Sequence, residues 1–309
     1  MKVVIIGGAG GIGSSVAFNL LLGTATHDIV LVDTRPAMLT SHTMDLENAV
    51  ALGTAPSTVR GGTPDDALDA DIVVLSAAVP LRLNTSRSVF LTDNARIVGE
   101  ILAPLGKSRF TGTVLVLTNP VDPLLTWVYR NEWVARERLV GYTLNDSLRL
   151  RTGIAQALRV HPLTVDAWML GEHGEGQVPL YSRVTVDGEP ATLDDEQRAA
   201  VTTYVNTWYQ RHVALDSGRT STWTTGRGAA RMIDAMATES GTVFPASVVP
   251  DGEYGISEVS IGLPVVLGRT GIDHIVEWEL TADEKRGMTD AAARVDSACA
   301  QLVSSTASR

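Results

Sequence analysis

Two short stretches carry the side chains best suited to moving a proton. The first, Trp168–Leu180 (WMLGEHGEGQVPL), places His173 between Gly171 and Gly174 with Glu172 and Glu175 close by. Glycine lets a backbone bend tightly and lets a ligand approach it closely. An apolar run, Val165–Leu170, leads into the bend, so His173 is expected on a loop at a strand end. Imidazole gives and takes protons near neutral pH. Alone, a histidine framed by glycines reads better as a surface turn that happens to hold a histidine. The second stretch, Asn145–Arg151 (NDSLRLR), changes that balance, because Asp146 and Arg149 are three residues apart and share one face of a helix. A histidine, an acid that orients it and an arginine that grips a carboxylate together suit proton transfer on an organic acid.

The partner in such a reaction is signalled at the start of the chain. Lys2–Ile6 is a β-branched apolar run, Gly7–Gly13 reads GGAGGIG, and Ser14–Leu22 has the pattern of a helix. Gly8, Gly10 and Gly13 satisfy G-x-G-x-x-G between strand and helix, the setting in which glycines admit a pyrophosphate and pack the helix onto its strand. A second strand, Asp28–Val32, ends at Asp33, twenty residues beyond Gly13 (33 − 13 = 20). An acid there accepts hydrogen bonds from the ribose hydroxyls of NAD and repels the 2′-phosphate of NADP. Arg35 keeps NADP as second choice.

The elements that must position these residues alternate in type. Ala70–Ser76 and Thr113–Leu117 read as buried strands, Thr40–Leu52 and Ser88–Leu105 as helices, and Leu139–Thr143 as a short strand leading into a helix over Asn145–Arg159. That alternation predicts an α/β fold with right-handed crossovers and a parallel sheet, with ligands at the strands' carboxyl ends. Asn119 sits at such an end, in a Thr-Asn-Pro turn, where its amide can meet a cofactor or a substrate oxygen. Beyond the boundary, set near residue 142, strands are expected over Thr164–Leu170, Tyr181–Val186, Val243–Val249 and Val259–Leu267, with a turn at Asp187-Gly188. Helices are expected over Asp194–Leu215, Thr220–Ala237 and Thr281–Leu302. The small residues of TSTWTTG, which opens the second of these helices, suit a substrate-facing surface.

Bulk properties narrow the partners. At 309 residues the chain has room for two domains, and 44% hydrophobic with 19% charged residues is ordinary for a globular protein. A formal charge of −10 argues against nucleic acid and against a basic membrane patch. No apolar run approaches the roughly 20 residues of a membrane helix. Cys299, the one cysteine, excludes an internal disulfide and a cysteine-based zinc cluster, which fits a reducing cytoplasm; no metal is expected. The chain opens directly on a strand, with no leader pattern ahead of it. Positive charge is almost all arginine, so position rather than residue type must identify a functional one. His27, His42, His161, His212 and His274 lack a glycine frame or an acid–arginine pair and are expected to pack or be solvated.

With these pieces in order, the chain resembles the NAD-dependent lactate/malate dehydrogenase family from first strand to last helix. The resemblance rests on GGAGGIG, Asp33, TNPVDPLL at Thr118–Leu125, NDSLRLR, GEHGEGQVPL and EYGISEVSIGLPVVLG at Glu253–Gly268. It implies a Rossmann-type doubly wound sheet over residues 1–142 that binds NAD, followed by an α+β catalytic domain over 143–309. It also implies hydride transfer between NAD and an L-2-hydroxy acid or 2-oxo acid. Position by position, it makes His173 the proton donor and acceptor, Asp146 its orienting partner and Arg149 the carboxylate clamp. Arg87 becomes the loop arginine that polarises the reacting carbonyl, Asn119 a cofactor and substrate contact, and Ser221 a substrate-pocket position.

The block Ala77–Phe90 aligns without gaps to the family's mobile loop but departs from it where substrates are told apart. Leu81 stands where malate enzymes carry arginine, and the following Lys-Pro-Gly is replaced by Arg82, Leu83 and Asn84. The glycine turn and VDP segment are nearer the malate branch. The start at the first strand, without the arm that helps lactate enzymes form tetramers, implies a homodimer. Two rival readings share parts of this pattern. A non-catalytic NAD-binding protein would need only the first half, and an NAD-dependent glycoside hydrolase would want metal ligands that Cys299, in the closing helix, is badly placed to give.

Overall fold

The structure, a computed structural model, describes residues 1–79, 87–108 and 110–307, so Leu81 and Arg82 lie outside the described residues. In the first part of the chain, β1 (Lys2–Ile6) leads to α1 (Gly11–Leu21), β2 (Asp28–Val32), α2 (Pro36–Ala49), β3 (Thr58–Gly61), β4 (Ile72–Leu75), α3 (Arg87–Gly106), β5 (Thr113–Val116), α4 (Val121–Arg130) and β6 (Leu139–Tyr142). There follow α5 (Leu144–Leu158), β7 (Val165–Asp166), β8 (Met169–Gly171), β9 (Gln177–Pro179), β10 (Thr185–Val186), β11 (Glu189–Pro190), α6 (Asp195–Ala214), α7 (Thr222–Thr238), β12 (Val243–Val248), β13 (Ile261–Gly268), β14 (Gly271–Ile275) and α8 (Ala282–Ala307).

The first six strands pair in parallel in the order β3-β2-β1-β4-β5-β6. The sheet then continues through antiparallel β12, β13, β8 and β9, with β14 on β13, so it runs unbroken past residue 142. Strand composition explains the burial on both faces. Val3 and Ile5 of β1 join one core cluster, with α1 and α7, while Val4 and Ile6 join the other, with α3, α4 and α8. Each such fully buried side chain contributes about 1.5–3 kcal/mol, which is why these strands are apolar at every position rather than at alternate ones.

Several elements differ from the sequence expectation, each for a local reason. α1 begins at Gly11 rather than Ser14, because Gly13 packs where a Cβ would stand 2.4 Å from the Gly7 carbonyl oxygen. α4 is a helix despite Pro123, which falls in the first turn where a missing N–H costs nothing. The run Thr164–Leu170 is not one strand: β7 belongs to a small sheet with β10 and β11, and β8 to the main sheet. The strand returning from the His173 turn is β9, not Tyr181–Val186, whose first three residues form a 3-10 turn. Edge strands β3 and β14 have too few buried residues to announce themselves. Asp187 and Gly188 do form the predicted turn, both with positive φ, 52° and 84°.

Candidate active site

Parallel register brings the glycine turn and Asp33 together. β1 and β2 pair from Lys2↔Asp28 to Ile6↔Val32, so the chain leaves both strands at the same level. There the amides of Gly7 and Gly8 donate to the Val32 carbonyl at 2.9 and 3.0 Å, and the amide of Ala9 donates to Asp33 Oδ2 at 3.0 Å. Gly7 takes φ 86°, and a Cβ at Gly8 would lie 2.9 Å from the Ile5 carbonyl oxygen. The N-cap of α1 is Gly10, with no side-chain cap and no acid in the first turn. The first amides of that helix are thus left for an anion, with the positive end of the helix dipole behind them.

Asp33 is well engaged before any ligand arrives. Besides Ala9 it accepts from the Arg35 backbone at 3.1 Å, from Arg35 Nε at 2.9 Å and from Arg35 Nη2 at 3.1 Å. Burial opposes its charge, but these donors outweigh it and hold the carboxyl below the ordinary aspartate range. The cradle of small residues, a helix N-terminus and an ionised acid at the end of the second strand fits a dinucleotide such as NAD.

The candidate proton-transfer residues His173, Asp146 and Arg149 meet although the β8–β9 turn and α5 supply them from separate parts of the chain. His173 sits in the turn between β8 and β9, which is closed by Glu172 N donating to Gly176 O at 3.0 Å and Gly176 N to Glu172 Oε2 at 2.9 Å. Gly171 makes the turn possible. Its φ is 82°, and a Cβ there would lie 2.5 Å from the Gly176 carbonyl oxygen. Gly171 pairs with Gly262 of β13, where an added Cβ would also collide with the Gly171 carbonyl. Glycine against glycine lets the turn seat against the sheet.

Asp146, in the first turn of α5, is 3% exposed and hydrogen-bonds His173 Nδ1. Its other oxygen, Oδ1, accepts from Arg149 Nη1 at 3.2 Å, the i,i+3 pair the sequence predicts. Arg149 Nη2 reaches Ser221 Oγ at 3.2 Å, and its guanidinium lies 4.1 Å from the centroid of the Trp208 ring of α6. Burial opposes protonation of His173, but the charge of Asp146 and its hydrogen bond outweigh it and hold the imidazole above the ordinary histidine range. Nε2 makes no hydrogen bond among the described residues and is the ring atom left to exchange a proton.

Two close approaches join the halves. A Cβ at Gly226 would lie 2.0 Å from Ser15 Oγ, so only glycine lets α7 rest on α1. That contact sets the start of α7 beside the glycine turn, with Thr222 Oγ1 3.3 Å from a Cβ placed on Gly11. Ser221, next in sequence, meets Arg149. Asn145 Nδ2 adds a bond to Thr225 Oγ1 at 2.8 Å.

Of the other predicted residues, Asn119 lies exposed at the end of β5, its carbonyl oxygen accepting from Asn94 Nδ2 at 2.7 Å and its peptide to Pro120 cis. Asn94 Oδ1 also takes the Val79 amide at 2.8 Å, tying the turns after β4 and β5 together. Arg87 opens α3, with its side chain outside what the structure describes. Leu81 and Arg82 are outside the described residues altogether. A cavity of about 400 Å³ bounded by Met1, His27, Asp28 and Asp71 opens at the other, amino end of the parallel strands, away from these groups. His27 is a packing histidine, 1% exposed and 2.9 Å from Asp234.

The sequence reading missed Asp122 and Trp208. Asp122 Oδ2 accepts the His173 amide at 2.6 Å, and its Oδ1 accepts from Ser247 Oγ. Ser247 Oγ lies 2.7 Å from Ser260 Oγ, and Ser260 N donates to Thr126 Oγ1 at 2.9 Å. Burial pushes the Asp122 carboxyl up to about 6 against the Ser247 hydrogen bond and the His173 charge. Nothing local marked it, since its partners lie 51 and 125 residues away.

A dinucleotide cradle facing a buried acid–imidazole pair defines an NAD-linked oxidoreductase. Residues 1–141 match the NAD-binding domain of lactate/malate dehydrogenase, and residues 143–305 match its alpha/beta C-terminal domain. The chain belongs to the lactate/malate dehydrogenase family. It is 35% identical to a malate dehydrogenase of Halobacterium salinarum, over 95% of this chain and 97% of that one. It is 31% identical to an L-lactate dehydrogenase of Pediococcus acidilactici, over 94% and 91%. Among solved structures, malate dehydrogenase from Cryptosporidium parvum superposes with a TM-score of 0.89 at 28% identity, covering 98% of this chain and 99% of that one. The minor L-lactate dehydrogenase from Enterococcus mundtii gives 0.88 at 27%, covering 97% and 98%. Both names recur, so likeness fixes the family and not the substrate. No helix among the described residues is long and apolar enough to cross a membrane.

Proposed function

We propose that His173, Asp146 and Arg149 carry out the reversible oxidation of an L-2-hydroxy acid to its 2-oxo acid. The observation that carries the reading is the convergence of a buried acid, an imidazole and a guanidinium at one place. NAD, held at Gly8, Gly10, Gly13 and Asp33, supplies the hydride acceptor. Arg149 grips the substrate carboxylate through two parallel charge-assisted hydrogen bonds, which fixes the face that C2 presents. Among the described residues, two of its five N–H groups are engaged, on Asp146 and Ser221. His173 Nε2 takes the hydroxyl proton in oxidation and returns it in reduction. Asp146 accepts from Nδ1–H, which fixes the tautomer and stabilises the imidazolium. Arg87 stabilises charge developing on the carbonyl oxygen, with Asn119 contacting cofactor and substrate and Ser221 lining the pocket.

For the substrate side chain, the reading is a preference for apolar 2-oxo acids over oxaloacetate. Its support is Leu81, which stands where malate enzymes carry arginine. Closing an apolar side chain over a second carboxylate desolvates a charge without a partner, at about several kcal/mol. The alternative is malate dehydrogenase activity with Arg82 replacing the usual loop arginine, favoured by the identity to the malate dehydrogenase of Halobacterium salinarum. Comparing kcat/KM for oxaloacetate, pyruvate, 2-oxoisocaproate and phenylpyruvate decides between them. If oxaloacetate wins by about tenfold, or about 1.4 kcal/mol, and Arg82→Ala abolishes the advantage, the apolar pocket is wrong. If Leu81→Arg creates oxaloacetate activity, Leu81 is the selector.

The division near residue 142, a homodimer and a cytoplasmic location belong to the same reading. The division is supported by the family models meeting at residues 141 and 143, where β6 passes into α5, and a reducing compartment by the free, buried Cys299. Sedimentation of the purified chain tests the dimer.

A further inference from the structure

Asp122 is a buried charge that the reaction just described leaves unused. It lies in the first turn of α4, is 1% exposed, and neither accepts the substrate proton nor meets the imidazole ring through a hydrogen bond. Its carboxylate instead holds the backbone amide of His173 and the Ser247 hydroxyl, and the hydroxyls behind it close a network back onto α4 at Thr126. Burying an ionised carboxylate is costly unless it is paired. To anchor one amide and one hydroxyl, a neutral asparagine would serve at lower desolvation cost. A carboxylate at that place therefore adds something an amide lacks, a second negative charge beside the imidazole.

We propose that Asp122 is a positioning residue for the proton-transfer step, fixing the His173 turn through the backbone and stabilising the His173 imidazolium together with Asp146. The charged groups acting on His173 are Asp146 and Arg149 from α5 and Asp122 from α4, while Glu172 of its own turn acts on Asp122. Arg149 opposes the imidazolium, and the carboxylates of Asp146 and Asp122 favour it. Glu172 in turn disfavours ionisation of Asp122, while Ser247 supports it. With its carboxyl at about 6, Asp122 is mainly ionised at neutral pH, where it acts on His173. The inference rests on His173 being the proton donor and acceptor, and its test separates the two claims.

The test is the pH profile of kcat/KM for 2-oxo acid reduction in Asp122→Asn, beside wild type and His173→Asn. Reduction needs protonated His173, so wild-type activity falls as pH rises through its raised pKa. In Asp122→Asn the amide keeps the bond to the His173 backbone while the charge is gone. The falling limb is expected to move to lower pH by about one unit, or about tenfold in kcat/KM at a pH above both limbs. NADH affinity, measured by fluorescence, should not change. Ser247→Ala, which weakens support for the Asp122 charge, should move the limb the same way by less. A folded Asp122→Asn with its limb unmoved overturns the proposal, as does an unmoved limb in Ser247→Ala should Asp122→Asn fail to fold. Near-normal turnover in His173→Asn would instead remove the base itself, and with it this inference.

Discussion

One β–turn–α–β unit from Lys2 to Asp33 carries the dinucleotide cradle. The proposed proton-transfer cluster instead draws Asp122 from α4, Asp146 and Arg149 from α5, His173 from the β8–β9 turn, Ser221 from the start of α7 and Ser247 from β12. The cradle needs little charge and works through absent side chains and backbone amides. The cluster instead needs carboxylates, an imidazole and a guanidinium brought into contact in a largely buried place. Substitutions in the cradle should therefore act on binding and folding one at a time. In the cluster they should act on turnover, and not independently, because contacting residues in one network are coupled.

The largest effect is expected from His173→Asn, in which turnover should fall by roughly 10²–10⁴ while NADH affinity holds, because an amide does not cycle a proton near neutral pH. Turnover near wild type would end the division of labour between the halves. Arg149→Lys should cost about 10–100-fold in kcat/KM for every 2-oxo acid, since an ammonium lacks the fork that two parallel bonds require. A loss confined to one substrate would move Arg149 from the shared carboxylate to the variable side chain.

Gly13→Ala probes the cradle. Its methyl would meet the Gly7 carbonyl, so about 1–3 kcal/mol of stability should be lost, with weaker NADH binding. Turnover at saturating NADH should be kept; a fall there means the glycine turn also shapes the chemistry. The smallest change is expected from Asp33→Ser, read as the NADH to NADPH affinity ratio. Loss of the carboxylate frees Arg35 to meet a 2′-phosphate, and the ratio should fall about tenfold or less. A wild type that already prefers NADPH would show that the Asp33–Arg35 pair does not select against the phosphate.

The cradle was nearly all legible in sequence because its parts are neighbours along the chain. Only the start of α1 was misplaced, since Gly11 and Gly13 look like loop until their packing is seen. His173, Asp146 and Arg149 were legible as suspects: a glycine-framed histidine and an i,i+3 acid–arginine pair are local signals. Their meeting was not. Nor was β9, because the returning strand of that turn is short and ends in Pro179, so the more β-branched Tyr181–Val186 looked the better strand.

Residue type and local spacing were enough to mark the strands buried on both faces, the positions where the backbone wants glycine, and the side chains able to exchange a proton or grip a carboxylate. Those properties depend on residue type and on spacing of a few positions. Tertiary structure alone decided that Asp122 stands behind His173, that Trp208 stacks on Arg149, and that α7 rests on α1 through Gly226 and Ser15. The reason is that a carboxylate's ionisation, a guanidinium's orientation and a glycine's necessity are set by what surrounds them. Those surroundings are assembled from residues 51 to 125 positions away for Asp122, and no local pattern records them.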